Sequence, residues 1–244
     1  MNGQDPAVID VEKSSTSQVR QLVATSSRIL AAAGMGDYIW GHASARDPQD
    51  RGAWLKQSSW GMEEVTADRV HLVNGGGDVV EGTGPRHYEY PIHTEIMAAR
   101  PDVGGVVHTH SRFAVALSAS GQPLLPVSHE GNLFCPPGIP RFTETADLIV
   151  TQDLGRQVAE ALGDAPAVFL VNHGIVCVGE DLQTATVTAI LLDQACRQQL
   201  LTRQAGGWPV WSDVEESLSK RANIYTNKSM HQVWDYLERQ LTIA

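Results

Sequence analysis

The segment Val106-Val107-His108-Thr109-His110-Ser111 sets two histidines two residues apart. On an extended strand, residues two apart project to the same face. His108 and His110 can therefore present two imidazoles to one point, and neutral imidazole suits Zn, Mn, Fe or Co. The competing reading is two structural histidines on a half-buried strand. A third histidine, His173, sits in Val171-Asn172-His173-Gly174, at the end of a short apolar run. Strand ends and the loops after them are where α/β folds carry chemistry. Three histidines with a coordination position left open describe a catalytic rather than a structural metal site. Glu89, in Tyr88-Glu89-Tyr90-Pro91-Ile92-His93, is the fourth candidate. A carboxylate beside a metal can ligate it, then leave and act as acid or base. Read from its surroundings alone, Glu89 is simply an acid favoured at a helix N-terminus.

These residues need elements to hold them. Val103 to His110 is rich in Val and bounded by Pro101-Asp102, as a strand would be. Ala167 to Val171 is a continuous apolar run, typical of a buried strand. Pro91 opens an expected helix that runs to Ala99 and stops at Arg100-Pro101-Asp102. Apolar positions from Val19 to Ala33 fall near helical spacing, and Gly34 is placed to end that helix. Trp54 to Ser59 and Val70 to Val73 read as strands. Asn74-Gly75-Gly76-Gly77-Asp78 is a turn, and Val79-Val80 begins the returning strand. A further amphipathic helix is expected over Glu144 to Leu162. Asp181 is a plausible N-cap for a long helix through Gln204. Gly206-Gly207-Trp208-Pro209 breaks the chain. The expected organisation is a loose tail over 1–18, a catalytic α/β domain over 19–205 and a helical tail over 206–244. The tail's aromatics (Trp208, Trp211, Tyr225, Trp234, Tyr236) suit packing or an interface that covers a neighbouring site.

Composition bounds the partners. The chain has 244 residues and a net charge of −10, with Lys+Arg at 18 against Asp+Glu at 28. A nucleic-acid binder needs a basic face to collect phosphates, so that class is not expected. Nor is a membrane partner, because there is no basic run and no apolar stretch of about 18 residues. The polar start lacks the basic and apolar regions of a secretory signal. Cys135, Cys177 and Cys196 form no Cys-x-x-Cys pair and fit a reducing cytoplasm. Cys177 and Cys196 read as small apolar filler. An anionic substrate would gain nothing from the overall charge and must be attracted locally.

The run Glu89-x3-His93, Arg100-Pro101-Asp102, Val106-Val107-His108-Thr109-His110 and Asn172-His173-Gly174 resembles the class II aldolase/adducin family. The resemblance extends roughly from Val19 to Thr202. It implies a three-layer α/β/α fold around a mostly antiparallel sheet. It implies one divalent metal ion per subunit (Zn, Mn, Fe or Co) on His108, His110 and His173. It also implies that Glu89 is the acid/base beside that metal. Members usually form C4-type tetramers with sites at subunit interfaces, so a homo-oligomer is expected. The adducin branch keeps the fold without activity, so fold alone does not establish catalysis.

Departures from the sugar-phosphate aldolases of this family bear on substrate. Their Gly-Asn-x-Ser motif reads Gly41-His42-Ala43-Ser44 here, their Thr-Gly loop reads Ser59-Trp60-Gly61, and their Ser-Ser pair becomes His87-Tyr88. Rings stand where hydroxyl and backbone groups would reach phosphate oxygens. Trp60 and Tyr88 could instead wall a flat, apolar substrate, or merely fill an unused pocket. A proton-donating tyrosine of the aldolases falls near His129, which titrates near neutrality. This combination is similar to the branch that decarboxylates hydroxylated aromatic acids. Both chemistries leave an electron pair that an oxygen beside a cation can hold. The expected reaction is decarboxylation of a dihydroxylated aromatic dicarboxylate, most specifically a dihydroxyphthalate giving protocatechuate. Glu89 would shuttle the proton, with His129 as its partner. His42, Arg46, Ser59 and Arg86 are candidates for holding a second carboxylate, each also readable as ordinary surface. An aldolase for an unphosphorylated hydroxy-carbonyl substrate and an adducin-like interaction protein remain as alternatives. His71, His87, His93 and His231 have no assigned chemistry.

Overall fold

The computed structural model describes residues 11–206 and 210–242, with side chains from residue 16. Eight strands form one sheet: β1 (His42–Arg46), β2 (Ala53–Lys56), β3 (Val70–Val73), β4 (Val79–Glu81), β5 (Gly105–Thr109), β6 (Arg141–Phe142), β7 (Ala167–Leu170) and β8 (Gly174–Gly179). Their spatial order is β4-β3-β2-β1-β5-β8-β7-β6. Every pairing is antiparallel except that of β6 with β7. Helices cover both faces, giving the expected three layers. They are α1 (Val11–Leu30), α2 (Tyr90–Ala99), α3 (Arg112–Ala119), α4 (His129–Phe134), α5 (Gln152–Leu162), α6 (Leu182–Gln204), α7 (Val214–Ile224) and α8 (Asn227–Leu241). No described helix is long and apolar enough to cross a membrane.

The period-two rule accounts for the two cores. Val107 joins Trp54, Leu72, Cys177 and α6 residues such as Leu192 on one face. Its neighbour Val106 joins Ile92, Ile96, Val158 and Val176, under α2 and α5, on the other. Burying a side chain of this size contributes about 1.5–3 kcal/mol, so both faces need their helical cover. Gly155 allows α5 to lie close on the first turn of α2. A Cβ there would come within 2.7 Å of the Pro91 carbonyl oxygen.

Several boundaries differ from expectation, each for a local reason. Helix α1 begins at Val11, so residues 11–18 are not a loose tail; residues 1–10 lie outside the described residues. Strand β2 stops at Lys56 rather than Ser59, where the chain turns at Ser59 with φ of 70°. Helix α5 starts at Gln152 rather than Glu144. Thr151 caps it by accepting the Leu154 N–H, and the preceding residues form a loop. Strand β5 ends at Thr109, which leaves His110 just beyond it. Asp181 does cap α6, accepting the Thr184 N–H at 2.8 Å. Of the C-terminal aromatics, Trp234 on α8 is buried in the core beside Met230. Trp208 lies outside the described residues.

Candidate active site

Strand β5 carries His108, and the residue after its end is His110. In the next strand over, the β7–β8 turn supplies His173. That turn is tight: Asn172 takes a left-handed conformation (φ 62°), and the His173 N–H bonds the Leu170 carbonyl at 3.0 Å. Asparagine tolerates this region better than most residues. Gly174 then lets the turn close on its neighbours. A Cβ there would lie 3.0 Å from His108 Cε1 and 3.2 Å from His110 Cδ2. Glu89 occupies the N-cap position of α2, yet its side chain makes no capping bond. It reaches toward the histidines instead.

The result is a compact cluster. Ligand atoms of Glu89, His108, His110 and His173 all lie within 4.8 Å of one another. Glu89 Oε2 is 3.7 Å from His108 Nε2, and Oε1 is 3.5 Å from His173 Nε2. For His108 and His110 the far side of the imidazole explains its orientation. His108 Nδ1 donates to the Ile175 carbonyl at 3.0 Å, and His110 Nδ1 donates to Asp37 Oδ2 at 2.9 Å. Those bonds place the ring proton on Nδ1 and leave a lone pair on Nε2 facing the cluster. The Nε2 atoms of His108, His110 and His173 are buried with no hydrogen-bond partner. Buried polar atoms normally find one. Three unpartnered imidazole nitrogens and a carboxylate around one point fit a divalent transition metal, and this mixed N/O donor set suits Zn, Mn, Fe or Co.

Burial also sets the charges. It holds His108 well below the ordinary imidazole range, helped by His173 and His110, and brings His173 down to about 4. Both rings are therefore neutral near pH 7, the form that ligates. Burial raises the Glu89 carboxyl, against a lowering by the Ile149 N–H, which donates to Oε1 at 2.9 Å.

Around this cluster the other candidates part company. His42 comes close: its Nε2 is 3.8 Å from Glu89 Oε2 and its ring stacks near His108. Ser59, Trp60 and Tyr88 lie on exposed or half-exposed loops after β2 and before α2. Tyr88 is 73% exposed, and Trp60 lies under the Arg69 guanidinium. The expectation that Arg46 holds a carboxylate is corrected. It sits at the far end of β1, donating to the Val103, Met97 and Arg100 carbonyls. Arg86 is likewise engaged, by the Gly77 carbonyl and the Tyr90 ring. His129 opens α4 and lines a hollow with Val127, Trp211 and Lys220, apart from the Glu89 cluster.

Sequence reasoning missed four residues here. Asp37, which orients His110, is 73 positions away from it, and no spacing pattern marks it. His93 bonds His42, and His87 lies against the His42 ring. The helical spacing of Glu89 and His93 could have signalled that both face inward. Lys56 is fully buried, and burial lowers its amine to about 8; it donates to the Ile39 and Trp60 carbonyls. A lysine inside the apolar strand Ala53–Lys56 was the available signal.

The sheet order, the helical layers and the His/Glu cluster together define a class II aldolase-like protein. Residues 21–200 match the family model for the class II aldolase and adducin N-terminal domain, and the chain belongs to that family. It is 32% identical to a 3,4-dihydroxyphthalate decarboxylase of Terrabacter sp. (strain DBF63), over 77% of this chain and 82% of that one. It is 31% identical to decarboxylase NovR of Streptomyces niveus, over 82% and 76%. Among solved structures, an L-fuculose 1-phosphate aldolase from Glaciozyma antarctica PI12 superposes with a TM-score of 0.83. That alignment covers 96% of this chain and 92% of that one, at 23% identity.

Proposed function

We propose that this chain is a metal-dependent lyase that decarboxylates a dihydroxylated aromatic dicarboxylate, with 3,4-dihydroxyphthalate to protocatechuate as its reaction. The observation that carries the reading is Glu89, a buried carboxylate within 3.5–3.7 Å of two orphaned imidazole nitrogens, in a chain related to aromatic decarboxylases. His108, His110 and His173 would hold a divalent ion, which would supply positive charge beside the ring oxygen that takes up the electron pair of the breaking C–C bond. Glu89 delivers a proton to the ring carbon that bears the departing carboxylate. Carbon dioxide leaves with the carboxylate oxygens, the C–C electron pair restores aromaticity, and Glu89 regains its proton from solvent. Burial raises the Glu89 carboxyl, which favours a group able to give a proton near neutrality. Trp60 and Tyr88 form the outer walls for the flat ring. His129, remote within its protomer, serves the site of a neighbouring subunit in a homo-oligomer, and the C-terminal helices cover that junction. The three cysteines are free, which suits a cytoplasmic catabolic enzyme.

The test is CO2 release from 3,4-dihydroxyphthalate and other ortho-hydroxy aromatic acids, by protein loaded in turn with Mn2+, Co2+, Fe2+ or Zn2+. Turnover supports the proposal. No CO2 across that panel, with cleavage of unphosphorylated hydroxyketones, would make the chain an aldolase instead.

A further inference from the structure

His42 Nδ1 and His93 Nε2 share a hydrogen bond of 2.6 Å, and His93 Nδ1 and Ser44 Oγ share another of 2.6 Å. All three side chains are at most 1% exposed. The chain ends at His42 Nε2, which has no hydrogen-bond partner and faces Glu89 Oε2 at 3.8 Å. Both rings are buried, and the hydrogen bonds they make go to each other and to a neutral serine, with no carboxylate within bonding distance to hold a charge.

Neutral rings allow only two proton arrangements along this chain. In one, Ser44 donates to His93 Nδ1, His93 Nε2–H donates to His42 Nδ1, and His42 carries its proton on Nε2. In the reverse, His42 Nδ1–H donates to His93, His93 Nδ1–H donates to Ser44, and the serine proton needs an acceptor of its own. Among the described residues Ser44 Oγ has no hydrogen bond except the one to His93. The reverse arrangement strands that buried hydroxyl proton and also turns a His42 lone pair toward the Glu89 carboxylate at 3.8 Å, whereas the first turns an N–H toward it, so the reverse is disfavoured.

We infer that Ser44 and His93 are positioning residues that hold His42 as an Nε2–H donor, and that this N–H binds a carboxylate oxygen of the aromatic acid. His42 is then a substrate-binding group and not a fourth metal ligand, since its inward nitrogen has no free lone pair. The relay also explains why the site tolerates histidines beside the metal ligands: their tautomers differ. His108 and His110 keep their protons on Nδ1, whereas His42 keeps its proton on Nε2. The choice of carboxylate as acceptor rests on the function proposed above; the tautomer does not.

Two measurements test this on the zinc-loaded protein. Spectra of 15N-histidine-labelled protein without substrate should show His42 protonated on Nε2, with Ser44→Ala disturbing that signal and Ser44→Thr preserving it. A proton on Nδ1 of His42 in the wild type would overturn the inference. Binding of protocatechuate and of 2,3-dihydroxybenzoate is then compared with that of catechol, which lacks the carboxylate. Ser44→Ala should weaken at least one acid several-fold, and His42→Leu by roughly 10- to 100-fold. Catechol should bind unchanged, and His42→Gln should recover part of the loss. Equal losses for the acids and catechol would overturn the inference, as would a wild type that prefers neither acid. If the acids depend on His42 while no CO2 is released, the inference stands and the decarboxylase reading falls.

Discussion

The inner wall of the site and its outer rim are built on different terms. On the inner wall, Glu89 and His108 are buried, His110 and His173 are partly buried, and most are held from behind. A carbonyl backs His108, a carboxylate backs His110, and an amide grips Glu89. On the rim, Trp60 and Tyr88 stand on loops, and the nearby guanidiniums are turned elsewhere. Arg69 covers Trp60, and Arg86 lies on the Tyr90 ring. The inner wall is thus set before any substrate arrives, whereas the rim is adaptable. This division separates chemistry from specificity. Rigid strands position the reacting groups, and loops choose what is presented to them.

The sharpest way to break that contrast is to damage the inner wall. His108→Ala should abolish metal retention, measured by elemental analysis after dialysis. Glu89→Gln should retain the metal and lower kcat by about 10²- to 10⁴-fold. A fully active Glu89→Gln would remove the acid/base role. A smaller effect is expected one layer behind. Asp37→Asn removes the charge that orients His110, and should weaken metal affinity by roughly 10- to 100-fold with the fold intact.

Acid should distinguish the two regions again. His93 is held at about 3 by burial, so below pH 6.5 the unfolded chain takes up a proton that the folded chain refuses. Stability from His93 is therefore complete above that pH and is lost as pH falls toward 3. The Tm of metal-free protein should drop between pH 7.5 and 5.5, and His93→Gln should flatten the dependence. Changes at the periphery should be smallest. Arg46→Met leaves backbone carbonyls without their donor and should cost about 1–3 kcal/mol of stability with KM unaltered. Arg86→Met removes one carbonyl donor and a ring contact and should cost about 1 kcal/mol of stability, again with KM unaltered. A large KM effect from Arg46→Met would return it to the site.

The inner wall was legible because regular elements convert spacing into direction. His108 and His110 lie two apart at the end of a strand, and His173 lies just past another. The pairing of β5 with β8 then brings them together. Most helix and strand positions followed from the same periodicities. The resemblance to class II aldolases supplied the role of Glu89, which spacing alone did not. What escaped depends on long-range contact. Asp37 and Lys56 act through groups remote in sequence or on loops, and neither leaves a periodic trace. Arg46 and Arg86 looked available for an anion because sequence does not show which carbonyls a guanidinium will meet. The early end of β2 and the late start of α5 were set by the turn at Ser59 and the cap at Thr151.

One contact aims the acid. The Ile149 amide takes one lone pair of Glu89 Oε1, while the same oxygen still faces His173 and Oε2 faces His108 and His42. One amide thus fixes the plane of the carboxylate without using it up. The loop ahead of α5 acts as a rudder: it sets which way the acid points and leaves both oxygens turned to the cluster.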